Sequence, residues 1–196
     1  MKQPKPFSIL SDIIHQRRSI FPPMYTGEKV DDKIILELLN NANQAPSHKK
    51  TNPWRFHVIS GDGLLRLASF FQNTFKENID QSDYKEVKFK KLGTNSLKAS
   101  HVIVVGAEIN PESGLPEWEE IAAVAAAVQN LYLSVTAFSL GGYWSSPSLM
   151  INHIHEFIDL RKDEKCLGFF FIGIPQGDLG LKVEKGDIVE KVKWYR

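Results

Sequence analysis

The chain has 196 residues, 42% of them hydrophobic, which is enough to bury a sizeable core as one domain covering residues 1–196. Its 24 lysines and arginines nearly balance 23 aspartates and glutamates, and a net charge of +1 excludes the broad basic surface of a nucleic-acid-binding protein. The single cysteine, Cys166, excludes an intramolecular disulfide and a cysteine-based zinc site. Because the first residues also lack the apolar segment of a signal peptide, we expect a cytoplasmic protein.

Two amphipathic helices are predicted near the start of the chain. Apolar side chains recur at helical spacing over about residues 7–17, where two arginines close the helix before a pair of prolines. A second helix is predicted to begin near Asp31 and Asp32, because carboxylates stabilise a helix N-terminus. It is predicted to end before Pro46.

Three buried strands are predicted at about residues 54–60, 101–108 and 167–175, with helical segments between them. The glycine-containing turn after the first strand leads into a third helix. The polar, lysine-rich region 76–98 is predicted to be partly helical at most and to form a mobile surface segment. Strands separated by helices indicate an α/β or α+β architecture.

The apolar stretch at residues 121–144 is long enough to cross a membrane. Polar side chains interrupt it, alanines supply much of its length, and glutamates rather than basic residues precede it. We therefore predict no membrane span, but a helix buried in the protein or in a subunit interface.

Three other functional motifs are excluded. "GDGLLR" at 61–66 lies between a strand and a helix, but Arg66 occupies the third glycine position of a dinucleotide fingerprint. His153 and His155 point to different faces of a helix, and no carboxylate or cysteine completes a metal site with them. The serines near residue 146 lack the G-x-S-x-G sequence of a hydrolase.

The remaining polar features occur in three places along the chain. Arg17, Arg18 and Ser19 offer charge-assisted donors to a phosphate. Residues 44–56, "QAPSHKKTNPWRF", present several polar side chains between a helix and a strand. "GGYWSS" at 141–146 is predicted to end the apolar helix with two glycines, whose backbone can approach a ligand, followed by an aromatic wall.

The order of these motifs resembles the nitroreductase superfamily, and most of all its short bacterial NAD(P)H nitroreductases. The resemblance covers about residues 7–175. The motifs that carry it are Arg17-Arg18-Ser19, Ala45-Pro46-Ser47-His48-Lys49 with Pro53-Trp54-Arg55-Phe56 downstream, and Gly141-Gly142-Tyr143-Trp144.

The resemblance implies an α+β fold with a mostly antiparallel sheet flanked by helices. It also implies an intertwined homodimer that binds FMN at its interface and a C-terminal tail, about 177–196, extended toward the partner subunit. The resemblance implies that Arg17 and Ser19 bind the FMN phosphate and that Arg18 lies near the ribityl chain or ring edge. Gln44 and His48 would face the flavin, with His48 reaching across from the partner subunit, and Trp144, Ser145 and Ser146 would line its other side. Lys185 would occupy the C-terminal phosphate-binding position.

The implied activity is hydride transfer from NAD(P)H through flavin N5 to a nitroaromatic, a quinone or a similar small acceptor, with ping-pong kinetics. No protein side chain has to act as a nucleophile or acid, so no catalytic residue is assigned. Two alternatives remain open: a module that stores FMN without turnover, and a specialised reaction such as reductive dehalogenation or flavin fragmentation. The latter would need a lid, for which residues 72–98 are the candidate.

Overall fold

The computed structural model describes residues 4–177 and 184–196. This part of the chain contains six α-helices and four strands. They are α1 (Lys5–Gln16), α2 (Asp32–Ala42), β1 (Trp54–Ser60), α3 (Asp62–Asn78), α4 (Glu86–Lys98), β2 (His101–Glu108), α5 (Glu117–Ala137), β3 (Gly141–Ser145), α6 (Ser148–His153) and β4 (Glu164–Gly173).

The four strands form one sheet in the order β1-β2-β4-β3, and every neighbouring pair is antiparallel. Seven of the eight residues of β2 are buried, as expected for a central strand covered on both faces. The prediction of an α+β fold with a mostly antiparallel sheet is confirmed, and a parallel α/β arrangement does not occur among these strands.

Helices cover both faces of the sheet. On one face, which we call the α5 face, α2 and α5 pack over Ile103, Val105 and Phe170. On the other, the α3 face, the apolar side chains of α3 and α6 pack over Val104, Phe169 and their neighbours, and α4 packs against α3. The two clusters bury the alternating side chains of the same strands.

The helix predicted near residue 31 is confirmed. Asp31 is the N-cap of α2, and its side-chain Oδ1 accepts the backbone N–H of Lys33 at 2.8 Å. The buried residues of α2 are Ile35, Leu38 and Ala42, which lie on one side of the helix.

The prediction for residues 76–98 is wrong, because α3 continues to Asn78 and α4 covers Glu86–Lys98. The buried residues of α4 are Gly93 and Ser96, and its partly buried Phe89 and Leu92 pack against the core of the α3 face. A Cβ at Gly93 would lie 2.7 Å from Gln72 Nε2, which shows how closely α4 approaches α3. The lysines of this region lie on a packed helix.

Residues 141–145 form a fourth strand, β3, where the two glycines were predicted only to end the apolar helix. A Cβ at Gly141 would lie 2.5 Å from Tyr25 Cε1, and one at Gly142 would lie 3.0 Å from Phe170 Cζ. The two glycines therefore make room for core aromatic rings, which is a different role from the predicted approach to a ligand. The third predicted strand begins earlier than expected, at Glu164.

Tyr25 joins the N-terminal loop to the sheet. It is fully buried, and its hydroxyl donates to the backbone oxygens of Ile20 at 2.7 Å and Phe171 at 3.2 Å. Burial raises its pKa, so the hydroxyl remains a donor throughout the physiological range.

We expect Tyr25→Phe to lower the free energy of unfolding by about 1–2 kcal/mol, because two buried carbonyls lose their donor. Urea denaturation monitored by circular dichroism measures the change. Tyr195→Phe, at a position that is 90% exposed, is the matched control and should change stability by less than about 0.5 kcal/mol. Equal effects of the two substitutions would contradict this role of Tyr25.

Cys166 lies in β4, and burial raises the pKa of its thiol to about 11. At about pH 8 only about one thiol in a thousand is then ionised. We expect the native protein to react with a thiol-specific disulfide reagent far more slowly than the denatured protein. Stoichiometric labelling of the native chain within the mixing time would contradict this prediction.

Candidate functional site

Arg17 lies where α1 ends and the chain becomes extended. Its backbone N–H donates to Ile13 O at 3.0 Å and caps the helix. Its guanidinium carbon lies 5.1 Å from the centroid of the Tyr132 ring, a cation–π contact with α5. Within residues 4–177 and 184–196 no carboxylate forms an ion pair with Arg17. Its charge is therefore available to an external anion.

Tyr132 connects three predicted site residues, although no sequence motif pointed to it. Its hydroxyl lies 3.4 Å from Ser19 Oγ and accepts the backbone N–H of Trp144 at 2.8 Å. The ring packs edge-on against Phe170 at a centroid distance of 4.6 Å, which fixes its position. The structure thus brings Arg17, Ser19 and Trp144 together around one buried phenol; we call these four residues the Arg17 cluster.

The Arg17 cluster contains donors that the protein leaves available. Trp144 Nε1 is buried and has no hydrogen-bond partner among the described residues. A Cβ at Gly168 would lie 3.0 Å from this nitrogen, so only glycine fits beside the indole. A guanidinium without a counter-ion and a neighbouring hydroxyl form a donor set suited to a phosphate.

Arg18 makes different contacts. Its Nη1 donates to the backbone oxygens of His15 at 2.5 Å and Arg17 at 2.8 Å. These bonds satisfy carbonyls at the C-terminal end of α1, where a positive charge is also favourable.

Gln44 and His48 lie in the loop after α2, and both are exposed. The backbone has positive φ at Lys49, Lys50 and Asn52, a conformation that residues other than glycine rarely adopt. Such strain often accompanies a functional loop.

His48 contacts the N-terminal part of α5, since its Nδ1 lies 2.6 Å from Glu119 Oε2. Glu119 and Tyr132 are 13 residues apart on the same helix, which corresponds to about 20 Å. One chain therefore does not bring His48 to its own Arg17 cluster.

The other predicted residues lie at β3 and in the tail. Ser145, half-buried, ends β3 next to Trp144, and exposed Ser146 follows it. Lys185 is exposed, and its carbonyl accepts a hydrogen bond from Lys191 Nζ at 3.1 Å. No hydrogen bond or ion pair among the described residues joins 184–196 to the rest of the chain, so Lys185 is not brought to the Arg17 cluster of its own chain.

Apolar side chains are exposed on α1, on α5 and in the tail. None of the described residues of α1 is buried, and its apolar side includes Phe7, Leu10 and Ile14. On α5, Trp118 is 67% exposed, and the tail exposes further large side chains. Large exposed apolar side chains in this number are typical of a surface that contacts another protein.

Helix α5 is long and apolar enough to cross a membrane by composition alone. In the fold, however, eight of its 21 residues are buried, against α2 and the sheet. This burial is the arrangement of a core helix, and the same test of length and composition accepts such helices.

A Ser-His-Asp arrangement with a buried serine and histidine and an exposed aspartate occurs elsewhere in the structure. Ser100 Oγ lies 2.9 Å from His101 Nδ1, and His101 Nε2 lies 2.9 Å from Asp32 Oδ1. The serine is only 3% exposed, and its Oγ already accepts the backbone N–H of Val30 at 2.7 Å. These contacts tie α2 to β2 and leave no accessible nucleophile.

The candidate lid, residues 72–98, forms the end of α3 and all of α4. These helices pack on the α3 face, whereas Tyr132 belongs to the α5 face. Tyr132 and the segment thus lie on opposite faces of the sheet, but α4 also lines a cavity with Ser145, one of the predicted flavin-binding residues.

The chain belongs to the Nitroreductase family, whose model matches residues 14–174. A relative from Bacillus subtilis (strain 168), named "Putative NAD(P)H nitroreductase YfhC", is 30% identical over 171 residues, which cover 86% of this chain and 85% of the relative. A relative from Escherichia coli (strain K12), named "Putative NAD(P)H nitroreductase YdjA", is 27% identical over 169 residues, which cover 84% and 87%.

Solved structures show the same fold. A nitroreductase-like family protein from Bacillus cereus superposes with a TM-score of 0.78 at 26% identity, covering 100% of this chain and 98% of that protein. The FMN-dependent nitroreductase NfnB from Mycobacterium smegmatis, solved in complex with NADPH, has a TM-score of 0.77 at 17% identity, with 97% and 100% coverage. The nitroreductase-like fold that the motifs implied is confirmed.

Proposed function

We propose that this protein is an FMN-dependent oxidoreductase that uses NAD(P)H to reduce a nitroaromatic, a quinone or a similar small acceptor. The observation that carries the proposal is the Arg17 cluster, which presents an uncompensated guanidinium beside a hydroxyl. The names of the relatives, NAD(P)H nitroreductases, and the FMN-dependent nitroreductase of the same fold support it. The residues present fit FMN, because a phosphate monoester needs charge-assisted donors and a flavin needs an aromatic and polar wall.

Arg17 and Ser19 would bind the phosphate, with Tyr132 holding both side chains in place. Trp144, Ser145 and Ser146 would line one side of the flavin, and Arg18 would support the loop that carries Arg17. Since about 20 Å of α5 separates His48 from Tyr132, we assign Gln44 and His48 to the site of a second copy. Lys185 is the candidate for the further phosphate ligand at the C-terminus.

The chemistry that FMN supplies when bound is hydride acceptance at N5 and return of the electrons to a second substrate. The chain's own residues bind, orient and shield the reactants. We therefore assign no catalytic nucleophile or acid, and we expect no single side chain besides the cofactor-binding ones to be essential.

The proposed assembly is a homodimer built on α5, α1 and the tail. A single chain leaves the apolar side of α1 uncovered, and the tail exposes Trp194 by 77%. A second copy covers these surfaces and supplies His48 to the neighbouring Arg17 cluster. We place this dimer in the cytoplasm.

Steady-state kinetics should be ping-pong, because NAD(P)H and the acceptor use the same cleft in turn. Oxidation of NADPH with a nitroaromatic acceptor should give parallel lines in double-reciprocal plots. Intersecting lines would contradict a shared cleft. A flavin-storage module would bind FMN but oxidise no NADPH above the rate of free FMN, which separates this alternative from turnover.

A further inference from the structure

A groove runs between α3 and α4, apart from the cavity that α4 lines with Ser145. It has a volume of about 320 Å³, and among the described residues the groove and the cavity have no lining residue in common. The groove is lined by Leu65, Ala68, Ser69 and Gln72 of α3 and by Lys90, Gly93, Thr94 and Leu97 of α4. On each helix these positions are spaced i, i+3, i+4 and i+7, so each helix presents one continuous side. We call this surface the α3–α4 groove.

The α3–α4 groove is concave and partly apolar. Ala68 and Gly93 are buried at its base. Leu65 and Leu97 are 57% and 47% exposed, although both line it. Small residues at the base and large apolar side chains above them leave space for side chains of a further element. A third helix fits such a strip, because its side chains pack between those of the two helices.

The side chains beside the groove are mostly basic. Arg66 and Lys98 directly follow the two exposed leucines, and Lys76 lies one turn beyond the lining residues of α3. All three are exposed, and none forms an ion pair within residues 4–177 and 184–196. Asp62, in the first turn of α3, is the neighbouring carboxylate. The surroundings of the groove therefore carry a net positive charge, which attracts carboxylates.

This charge favours an acidic partner over two other occupants. A second copy of the groove would bring like charges together, which disfavours self-association through this surface. A lipid surface takes up apolar side chains that project from a helix, whereas these leucines border a concave strip. The matching partner is an amphipathic helix with apolar side chains on one side and carboxylates on its flanks.

We propose that the α3–α4 groove is the docking site for an acidic amphipathic helix of another protein. The apolar side chains of that helix pack between Leu65 and Leu97 and over Gly93, and its carboxylates pair with Arg66 and Lys98. The groove belongs to the α3 face, whereas the Arg17 cluster and the proposed dimer interface involve α5. The proposal does not depend on the redox activity.

The probe is a fluorescein-labelled synthetic helix of about 18 residues, which is five turns, with leucines on one side and glutamates on both flanks. We expect saturable binding to the protein as purified, measured by fluorescence anisotropy. A second peptide with lysine in place of every glutamate should bind at least roughly tenfold more weakly.

Leu65→Glu should raise the dissociation constant of the acidic helix by roughly tenfold or more, because it places an unpaired charge in the apolar contact. Leu36→Glu is the matched control, since Leu36 is 61% exposed on α2, outside the groove. It should leave the dissociation constant unchanged.

The double substitution Arg66→Gln/Lys98→Gln should also raise the dissociation constant of the acidic helix by roughly tenfold. Lys29→Gln/Lys33→Gln removes the same charge from exposed positions outside the groove and should change it by less than about twofold. Bound peptide should slow hydrogen–deuterium exchange in α3 and α4 and leave α2 unaffected.

Equal binding of the acidic and basic helices, an unchanged dissociation constant in Leu65→Glu, or no binding at about 100 μM peptide would each overturn the proposal. It would also be overturned if the protein bound only vesicles containing phosphatidylglycerol, or if Leu65→Glu abolished a self-association instead. Every variant should keep the flavin content and oligomeric state of the wild type, so failure here is distinct from failure of the proposed function.

Discussion

Replacing Arg17 with alanine should weaken FMN binding by about 1.5–3 kcal/mol, or roughly 10- to 150-fold in the dissociation constant. The guanidinium has no carboxylate partner among the described residues and stacks on Tyr132, so it is held in place for an anion. Removing the guanidinium should change the stability of the protein little, but the FMN phosphate would lose its strongest donor. Fluorescence titration of the flavin-free protein with FMN measures the change.

Two further variants make this experiment specific. Arg17→Lys retains the charge but loses the planar stacking and the second donor, so its affinity should lie between those of the wild type and Arg17→Ala. Arg66→Ala removes an exposed arginine from α3 and should leave FMN binding unchanged. If Arg17→Ala retains FMN as tightly as Arg66→Ala, Arg17 does not bind the phosphate.

Ala125→Glu should abolish the homodimer at low micromolar concentration. Trp118, Ala122 and Ala125 are exposed and spaced so that they share one side of α5. Glutamate has a high helix propensity, so the substitution at residue 125 should not destabilise α5 itself. An unpaired charge buried in an apolar interface, however, weakens dimerisation by several kcal/mol, on the order of the cost of burying a polar group. Because the proposed site needs His48 of a second copy, the variant should also lose FMN.

Sedimentation velocity with detection at the flavin absorbance tests both effects at once. Leu65→Glu is the matched control, since Leu65 is 57% exposed on α3, away from α5. It should remain dimeric and yellow. A stable 22.2 kDa wild-type monomer that keeps its flavin would refute both the interface and the shared site.

The elements with a strong local pattern were predictable from the sequence. Strand β2 is a continuous apolar run, and α2 begins at an aspartate that caps it. Helix α4 was not, because its two buried residues, Gly93 and Ser96, are small and its inward Phe89 and Leu92 stand among lysines. Its position depends on close contact with α3, which leaves only a short hydrophobic pattern in the sequence.

Strand β3 was missed for a related reason. Glycine disfavours strands, so Gly141 and Gly142 were interpreted as the end of the apolar helix. Their small size is required by Tyr25 and Phe170, residues far away in sequence. Tertiary packing here overrides local propensity.

The candidate site was only partly predictable. The motif order indicated Arg17, Ser19 and Trp144, and the structure places these residues together. Tyr132, which joins them, looks like any core aromatic on a buried helix, and its hydroxyl partner Ser19 is 113 residues away in the chain. Contacts over such distances have no local signature.

The visible absorbance spectrum of the purified protein tests the central proposal most directly, when combined with the quantity of FMN released on denaturation. The proposed site predicts a yellow protein that releases close to one non-covalently bound FMN per chain. A colourless protein that also fails to bind FMN on titration would contradict it.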